Sequence, residues 1–586
     1  MKIATLLAIS GLLVHAAPAQ QPAPADPILQ AMREEIERAK MLRIVSLDAP
    51  YFIEYGVDDV ESFSVSASFG GLLAARPSRL RIPRIQVRVG NYDFDNTNYV
   101  FTDLFHGPRF DTERMVLDND VRALRTHFWL ATDRAYKGSL QAIARKRSAL
   151  KNLSETEKIN DFARAKPFRM VLNLYKVQVD QAFWTSQVKK LSAIFTQYPA
   201  LSTGTVDFES NYGGSYLMNS EGTEVRMTDS LTYVRIRAST RTADGMPVRD
   251  ALVFLAHTPA GLPPEAELRR GVAEVATNVT ALASAPVGES YVGPVLFEPM
   301  AAAQLFAQVL GRNLSLTRRP VGEPGRNFPF VPSEFEGREG SRVLPEWMDV
   351  VDDPTQREFR GKALLGYYPV DMEGVPPEPL TLIEKGVLKN FLLTRQPVRG
   401  FEGSNGRARL PGGFGAKYAT FGNLFIRASE TVTASELKAR LIEMCKQRNK
   451  PYGLLIRKLD FPSSASLEEL RRAAGGQGVH GRPVSPPILV YRVYPDGREE
   501  LVRGLRFRGL STRSLRDIVA ASDEAYMFDY LENGAPFSLI GSGTYVAPST
   551  VISPAVLFED LDLEPYSEPW PTPPVVPPPP LIPASR

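Results

Sequence analysis

The sequence at residues 346–393 reads EWMDVVDDPTQREFRGKALLGYYPVDMEGVPPEPLTLIEKGVLKNFLL, and its alternation of apolar runs and turn residues determines the fold class. An apolar run ends at residues 352–354 (DDP), and residues 371–374 (DMEG) lie just before two prolines. A second turn, residues 384–386 (EKG), precedes another apolar run. Turn residues between β-favouring runs are typical of hairpins. The stretch predicts a β-meander within a core, and it contains no catalytic constellation of its own.

Outside this stretch, hydrophobic periodicity predicts further helices and strands. The predicted helices span residues 28–40, 118–153, 182–195, 264–282 and 300–310, and a further helix starts at the capping-box residues 433–436. Extended chain is predicted over residues 52–87, 204–256 and 488–502, with hairpin turns at 219–222, 243–245 and 495–497. Helices on both sides of a run of strands indicate an α+β fold rather than a regular βαβ alternation. The basic residues 145–147 are predicted to be a solvated helix face.

Composition limits the class of protein. The chain has 586 residues, 43% of them hydrophobic and 23% charged, which indicates a globular protein of two or more domains. A net charge of +3 gives no support for nucleic-acid binding. Cys445 is the single cysteine, so an intrachain disulfide and a Cys-rich metal site are excluded. We expect its thiol to be an inert part of the core.

Both ends of the chain differ from the globular part. Residues 1–19 contain Lys2, an apolar run and the small-x-small sequence Ala17-Pro18-Ala19, which predicts a signal peptide cleaved after Ala19. A membrane anchor or a buried helix is the alternative, but the apolar run is short for a membrane span. We therefore expect a periplasmic or secreted protein with no membrane segment after cleavage. Residues 20–27 form a linker, and residues 565–586 form a proline-rich tail, either a docking peptide or a plain extended end.

The order of motifs in the C-terminal half resembles one known family. D-D-P, then D-x-E-G-V, then L-I-E-K-G-V-L-K-x-x-L, followed by SNGRAR at 404–409 and GNL at 422–424, are similar to the C-terminal domain of the TldD/PmbA family. That family is also called the modulators of DNA gyrase, or peptidase family U62. Residues 219–222 and 293–297 also fit the family pattern. The matching motif positions are Asp352, Asp353, Asp371, Gly374, Gly386, Ser404, Gly406 and Asn423.

The resemblance implies an α+β fold of two domains. An N-terminal domain of helices and antiparallel sheet is expected over residues 28–290, and a β-rich, metallopeptidase-like C-terminal domain over residues 291–564. Zinc-bearing members of the family carry His-Glu-x-x-x-His on a helix, with a thiolate from later in the chain as a further ligand. In that arrangement two histidines hold zinc, and the glutamate takes a proton from the zinc-bound water.

The zinc motif is replaced in this sequence. Aligned on Gly311, its positions fall on Ala307, Gln308 and Arg312. Alanine has no metal donor, glutamine is not a general base, and arginine places a permanent positive charge where a dication would sit. No cysteine follows Cys445. We therefore expect no metal bound by this chain and no catalytic residue at the motif.

Other metal or nucleophile sites are weakly supported. The histidines after the leader, His106, His127, His257 and His480, form no motif, and His127 is predicted to be a packing residue. The carboxylates of Asp349, Asp352 and Asp353 are the ligand type that a hard cation takes, but such residues more often end a strand and begin a turn. Residues 541–543 (GSG) lack the G-x-S-x-G spacing of a nucleophile elbow.

By its residues the chain resembles the family members without zinc, the PmbA or TldE type. These pair with a zinc-bearing TldD-like subunit that cleaves unfolded peptides. The resemblance thus implies a non-catalytic subunit of a metallopeptidase heterodimer, with zinc in the partner and peptide between the subunits. Two alternatives stay open: a stand-alone peptide-binding or scaffolding homodimer, and an active peptidase with an unrecognised site.

Overall fold

The computed structural model describes residues 26–43, 47–100, 115–151, 158–322, 330, 332–411, 417–461, 484–532, 546–567 and 569–570. The helices in these residues are α1 Pro27–Ala39, α2 Val121–Leu150, α3 Gln181–Ala193, α4 Glu265–Ser284, α5 Pro299–Phe306 and α6 Ala434–Gln447. A π-helical turn, Ala307–Gly311, directly continues α5. The predicted helices are confirmed to within about one turn at each end. The predicted signal peptide, most of the linker and the residues beyond 570 lie outside the described residues.

Four strands of the N-terminal half have 17–19 residues, and the last two strands of the described chain have 15 and 19 residues. The strands are β1 Pro50–Ser68, β2 Gly71–Val89, β3 Tyr99–Val100, β4 Arg169–Val171, β5 Thr203–Asn219, β6 Glu224–Arg241, β7 Pro247–Ala256, β8 Tyr291–Phe297, β9 Val321–Gly322, β10 Met348–Asp352, β11 Glu358–Phe359, β12 Lys362–Ala363, β13 Leu380–Glu384, β14 Val387–Leu388, β15 Ala408–Pro411, β16 Lys417–Ala419, β17 Asn423–Ala428, β18 Gly453–Leu459, β19 Pro487–Val493, β20 Glu499–Val502, β21 Leu505–Arg508, β22 Ile518–Glu532 and β23 Ala547–Pro565.

The N-terminal sheet has the order β2-β1-β5-β6-β4, with β7 also paired to β6. Its first two strands form one long hairpin that turns at Phe69 and Gly70, both with positive φ. The sequence analysis predicted extended chain over residues 52–87 without a turn, which is wrong at this point. The sequence did not indicate this turn, because a bulky aromatic residue such as Phe69 rarely adopts the left-handed backbone conformation.

One face of the N-terminal sheet is covered by helices. Side chains alternate between the two faces of a strand, and the odd-numbered residues of β1 face the helices. Residues such as Tyr55 pack in a cluster with α1 and α2, and residues such as Val65 pack in a second cluster with α3 and α4. Asp26 caps α1 by accepting hydrogen bonds from the backbone N–H groups of Ile28 (2.9 Å) and Leu29 (3.1 Å).

The C-terminal sheet contains eleven strands of the described chain, in the order β14-β13-β10-β17-β23-β8-β18-β19-β20, with β21 and β22 also paired to β23. The central strand β23 pairs with β17 in parallel and with β8 antiparallel. The largest hydrophobic cluster, including α5, packs on this sheet. Helix α6 and the buried Cys445 belong to a smaller cluster. The predicted capping box of α6, formed by Thr433 and Glu436, is confirmed.

The stretch at residues 346–393 supplies β10, β13 and β14 as adjacent antiparallel strands, which confirms the predicted meander. Lys385 and Gly386 have φ values of 48° and 73° and connect β13 to β14 by a two-residue turn. The turn at residues 371–374 is present, with a hydrogen bond from the Gly374 N–H to the Asp371 carbonyl. It lies within a long connection rather than directly between two strands, so this detail of the prediction is wrong.

Lys146 corrects the prediction for residues 145–147. Its side chain is 4% exposed, and its ammonium group donates to the carbonyls of Asp95 (3.0 Å) and Thr97 (2.7 Å). It also pairs with the Asp161 carboxylate at 2.5 Å. Its neighbour Arg147 is solvent-exposed, as predicted. Three buried oxygen atoms around one ammonium group make Lys146 a structural cation of the N-terminal domain.

The two domains contact each other at both ends of β6, through what we call the first and second ionic seams. In the first seam, Arg395 is fully buried and pairs with Glu221 at 2.8 Å, while Lys417 pairs with Glu54 at 3.0 Å. The second seam lies beyond the other end of β6. Its pairs are Arg503 with Asp244 (3.0 Å), Lys458 with Asp250 (2.6 Å) and Arg249 with Asp460 (2.6 Å).

The predicted α+β fold with two domains is confirmed. One sheet draws its strands from residues 50–256 and the other from residues 291–565, although the domain limits 28–290 and 291–564 stay predictions. Within the described residues, no helix combines the length and the apolar composition that a membrane crossing requires.

Candidate functional site

The motif positions that carry the family resemblance hold the backbone of the C-terminal domain. Asp352 is fully buried, pairs with Arg407 at 3.0 Å and accepts the Gly422 N–H at 2.9 Å. Burial raises the pKa of Asp352, and the Arg407 charge opposes that rise. The Asp371 carboxylate accepts three backbone N–H groups, from Glu373 (2.9 Å), Val375 (2.9 Å) and Ala408 (3.0 Å).

The other motif positions have the same role. The amide nitrogen of Asn423 donates to the carbonyls of Asp353 and Gln356, both at 3.0 Å. The Ser404 hydroxyl accepts the Gly406 N–H at 3.1 Å. Three glycines of the motif have positive φ: Gly374, Gly386 and Gly406. At Gly386 an added Cβ would also lie 2.3 Å from the carbonyl oxygen of Leu344, so a side chain is excluded there.

The predicted carboxylate cluster does not form a metal site. Asp349 accepts the Lys385 N–H at 2.6 Å, and Asp353 accepts the N–H and hydroxyl of Thr355 at 3.0 and 2.6 Å. The Asp352 carboxylate forms a salt bridge with Arg407. Each carboxylate therefore serves a turn or a buried pair. In the part of the chain that the structure describes, no three His, Cys, Asp or Glu side chains are placed to share a metal ion.

The helix that should carry the zinc motif is packed deep in the C-terminal domain. Ala307 is 2% exposed and Gln308 is 4% exposed. The Gln308 side-chain oxygen accepts the Ser485 N–H at 2.9 Å, and its amide nitrogen donates to the Gln304 carbonyl at 3.2 Å. Gln304 in turn accepts the Leu459 N–H at 2.8 Å. Both glutamine side chains thus satisfy buried backbone groups.

These residues do not fit the zinc ion that the family fold implies. Ala307 offers no donor atom, and the Gln308 carbonyl oxygen is committed to Ser485. Arg312, directly after the π-helical turn, is half-buried and adds a positive charge. A dication at this position would be repelled and would lack a set of ligands.

Arg312 lies beside a wall of aromatic side chains. A Cβ atom added at Gly311 would lie 2.4 Å from the Phe421 ring. The π-helical turn therefore packs directly against these aromatic side chains. Phe421 contacts Tyr530, and Tyr530 contacts Phe461 and Phe528, with ring centroids 5.0–6.2 Å apart. The buried Tyr530 hydroxyl donates to Glu532 at 3.2 Å. Burial raises the pKa of Tyr530, and the Arg312 charge opposes that rise.

Arg409 connects this wall to the N-terminal domain. Its guanidinium donates to the Phe421 carbonyl (2.6 Å), the Pro548 carbonyl (2.5 Å) and the Ser549 hydroxyl (3.1 Å). It also stacks on the Tyr368 ring, 4.5 Å from the centroid. All these partners are neutral, so the Arg409 charge acts on its surroundings at longer range. It acts on Tyr368, Asp352 and Tyr530 and, across the domain boundary, on Asp229.

Asp229 faces Arg409 from the face of the N-terminal sheet opposite the helices. It is open to solvent and lies within electrostatic range of His257 and Arg84 as well as Arg409. The positive charges of Arg84 and Arg409, and of His257 when it is protonated, favour the ionised carboxylate of Asp229. We define the interdomain cleft as the region in which Asp229, Arg84 and His257 of the N-terminal domain face Arg409 of the C-terminal domain. The buried Tyr530 lies within electrostatic range of both Arg409 and Arg312.

Sequence reasoning did not find this cleft. It placed Arg312 at the motif and noted His257 as an isolated histidine, but it did not single out Asp229, Tyr530 or the role of Arg409. Asp229 and Arg409 are 180 positions apart in the numbering, and only domain packing brings them together. His127 is half-buried in α2, as predicted. His106, His480 and residues 541–543 lie outside the described residues.

An open groove of about 630 Å³ lies elsewhere, between β2 and α3. Phe63, Ala75 and Pro77 form its apolar part, and Thr185, Lys189 and Lys190 contribute polar groups. It is remote in sequence from the family motifs and contains no acid–base pair. We therefore place the candidate site in the interdomain cleft rather than in this groove.

Comparison with known proteins points to one family. Residues 290–460 match the sequence model of the PmbA/TldA metallopeptidase C-terminal domain. A protein named metalloprotease from Archaeoglobus fulgidus is 39% identical over 78 residues, which is 13% of this chain and 17% of that protein. The chain thus matches less than a fifth of the length of this curated relative.

Three solved structures share the fold along nearly their whole length. A putative modulator of DNA gyrase from Thermotoga maritima has a TM-score of 0.54 at 17% identity, covering 91% of this chain and 99% of its own. TldE from Thermococcus kodakarensis has a TM-score of 0.54 at 14% identity, with the same coverage. A putative modulator of DNA gyrase from Bacteroides thetaiotaomicron has a TM-score of 0.51 at 10% identity, covering 92% and 98%.

Proposed function

We propose that this chain is the non-catalytic subunit of a zinc metallopeptidase of the TldD/PmbA family, because residues 290–460 match the PmbA/TldA metallopeptidase C-terminal domain and the whole fold is shared with the solved structures. It would pair with a zinc-bearing chain that has an intact His-Glu-x-x-x-His motif. The interdomain cleft would hold an unfolded peptide, and hydrolysis would take place on the partner. The predicted signal peptide would export the pair to the periplasm or the exterior.

The main support for the proposal is that the side chains at the zinc-motif positions form other interactions or offer no metal ligand. Gln308, at the position of the general base, holds the Ser485 backbone and the Gln304 carbonyl. Neither Ala307 nor Arg312 replaces a metal ligand. A chain that keeps the fold-holding residues of the family but not its metal ligands suits a partner role.

The geometry of the cleft supports peptide binding. Its two sides come from different domains, and the ionic seams fix both ends of the N-terminal sheet against the C-terminal domain. It contains charged and phenolic side chains next to an aromatic wall, which suits an extended chain with polar backbone groups and mixed side chains. A cleft held at both ends would be largely preformed before peptide arrives.

The test is purification of the mature chain, tagged, from its native source and separately after expression alone. Zinc content and cleavage of unfolded casein are measured on both preparations. We expect a co-purifying zinc-bearing chain with chelator-sensitive activity in the first preparation, and neither zinc nor cleavage in the second. A chain that arrives alone, without metal or cleavage, would favour the homodimeric binding protein. Cleavage by the isolated chain would overturn the proposal.

A further inference from the structure

We propose that the first ionic seam is a proton-controlled latch between the two domains. The latch is closed while the carboxyl groups of Asp371 and Glu373 hold a proton between them, and it opens when that proton is released to solvent. The second ionic seam stays closed in both states, so the two domains separate from the end at the first seam.

The turn that carries these carboxyl groups packs directly against the N-terminal domain. A Cβ atom added at Gly374 would lie 2.6 Å from the methyl group of Thr223, in the turn between β5 and β6. Val370, just before the turn at residues 371–374, shares a hydrophobic cluster with Leu217 and Val225 of the same hairpin. A change of charge in this turn therefore acts directly at the contact between the domains.

Glu373 is connected to the N-terminal domain through Arg395. One oxygen of the Glu373 carboxyl group accepts the Arg395 backbone N–H at 2.6 Å. The Arg395 guanidinium pairs with Glu221 at 2.8 Å and donates to the Ala163 carbonyl at 2.7 and 2.9 Å. Glu221 also accepts the Tyr92 hydroxyl at 2.6 Å. Carboxyl groups from both domains thus surround one fully buried cation.

The first seam contains more carboxyl groups than cations among the described residues. Its carboxyl groups belong to Glu54, Glu221, Asp371 and Glu373, and its cations are Arg395 and Lys417. All six residues are buried except Glu221, whose side chain is 14% exposed. Uncompensated negative charges are costly where water is scarce, so neighbouring buried carboxyl groups retain a proton.

The other charges around Glu373 do not remove this imbalance. Arg88 lies within electrostatic range but pairs with Asp95 at 2.7 Å, and the exposed Arg164 stacks on the Tyr92 ring. In the second seam, by contrast, each of three cations pairs with its own carboxylate. The described residues of the two seams therefore differ in charge balance, and the excess of carboxyl groups lies in the first.

The direction of the pH dependence follows from the closed state. Burial raises the pKa of Glu373, although the Arg395 charge opposes the rise, and burial together with the Glu373 charge raises the pKa of Asp371 to about 7. Hydrated carboxyl groups in an open seam would release their protons at about pH 4. Closing is therefore favoured at acid pH and is lost as the pH rises through about 7.

The experiment measures the width of each seam at two pH values on the full mature chain. Cys445 is buried, so nitroxide labels attach to pairs of cysteines introduced at exposed positions. Lys166→Cys with Glu378→Cys reports on the first seam, and Ala243→Cys with Ser567→Cys reports on the second. Double electron–electron resonance gives the distance distribution of each pair. From pH 5 to pH 8 we expect the open fraction of the first pair to rise at least about tenfold, while the second pair keeps one distance.

Glu373→Gln is the decisive variant, because its carboxamide oxygen can still accept the Arg395 N–H but the side chain cannot ionise. It should keep the closed distance at both pH values. Glu384→Gln removes an exposed carboxylate of the same domain and, as the matched control, should open as the wild type does. An unchanged first-seam distance in the wild type, opening of both seams together, or opening of Glu373→Gln at pH 8 would each overturn the latch. The wild-type comparison requires no charge variant to fold.

Discussion

Two buried polar regions of the C-terminal domain hold backbone groups with different sets of side chains. Around Asp352, Asp371 and Asn423, side chains of the family motif hold backbone groups and one buried arginine. Around Gln304 and Gln308, the helix of the expected zinc site also holds backbone groups, but with residues that cannot bind zinc. Both regions are well satisfied by hydrogen bonds, so the second serves as a structural element like the first.

The comparison separates two kinds of residue. Those that satisfy buried backbone groups determine the fold, because an unsatisfied buried polar group costs about 1–3 kcal/mol. Those that hold a metal determine the reaction, and their loss need not affect the fold when the replacements form their own hydrogen bonds.

Removing the Asp352 carboxylate should have the largest effect. Asp352→Ala leaves Arg407 buried without its carboxylate, and we expect about 3–5 kcal/mol of lost unfolding free energy. Denaturant unfolding of the mature chain measures this loss. Glu346→Ala, at a surface pair with Arg342, is the control and should change stability by less than about 1 kcal/mol. Similar effects of the two variants would contradict the structural role assigned to the motif.

Lys146 provides the corresponding test in the N-terminal domain. Lys146→Met removes the ammonium group that holds two carbonyls and the Asp161 carboxylate, and we expect about 2–4 kcal/mol of destabilisation. Lys137→Met breaks only an exposed pair with Asp133 on the same helix and should cost less than about 0.5 kcal/mol. If thermal melting does not distinguish the two variants, the structural-cation interpretation is wrong.

The pair of Asp371 and Glu373 predicts a dependence of stability on pH. Burial and the neighbouring Glu373 raise the pKa of Asp371 to about 7, and burial raises the pKa of Glu373. The folded chain therefore retains protons that the unfolded chain releases near pH 4. Between about pH 4 and 7, unfolding free energy should fall as pH rises, by at most about 1.4 kcal/mol per pH unit for each group.

This dependence is measured by denaturant unfolding at pH 5 and pH 7, in the wild type and in Asp371→Asn. The variant lacks the titrating carboxyl group, so its stability should change less between the two pH values. A wild type that becomes more stable from pH 5 to pH 7, with Asp371→Asn behaving identically, would show that the Asp371 carboxylate is ionised throughout and held by its three N–H donors.

Arg312→Gln should have the smallest effect on stability. The side chain is half-buried and has no described ion-pair partner, so we expect a change within about 0.5 kcal/mol. A destabilisation comparable to that of Asp352→Ala, seen in the same denaturant experiment, would mean that Arg312 is a fold-holding residue rather than a side chain without a structural role.

Much of the fold could be predicted from the sequence because its signals are local. The capping box of Thr433 and Glu436, the turn at Lys385 and Gly386 and the periodic helices depend on neighbouring residues. The turn at Phe69 was missed because its first residue is not a typical turn residue. The burial of Lys146 was missed because Asp95 and Asp161, which surround it, are distant in sequence.

For the candidate site as well, the sequence predicted the local features and missed those that depend on contacts between distant residues. The absence of zinc ligands at Ala307, Gln308 and Arg312 is a prediction from the family motif aligned on Gly311. The cleft was not predicted, because Asp229 and Arg409 come from different domains and come within electrostatic range only through the packing that the two ionic seams fix. The hydrogen bonds of Gln308 also required coordinates, since Ser485 lies far along the chain.

The most direct test of the account is zinc analysis of the isolated mature chain. The chain is incubated with zinc, dialysed, and its retained metal measured by mass spectrometry with protein quantified in the same sample. The account predicts no retained zinc, because Ala307, Gln308 and Arg312 offer no ligand set. One zinc ion retained per chain, and lost on chelation together with any peptide cleavage, would contradict it.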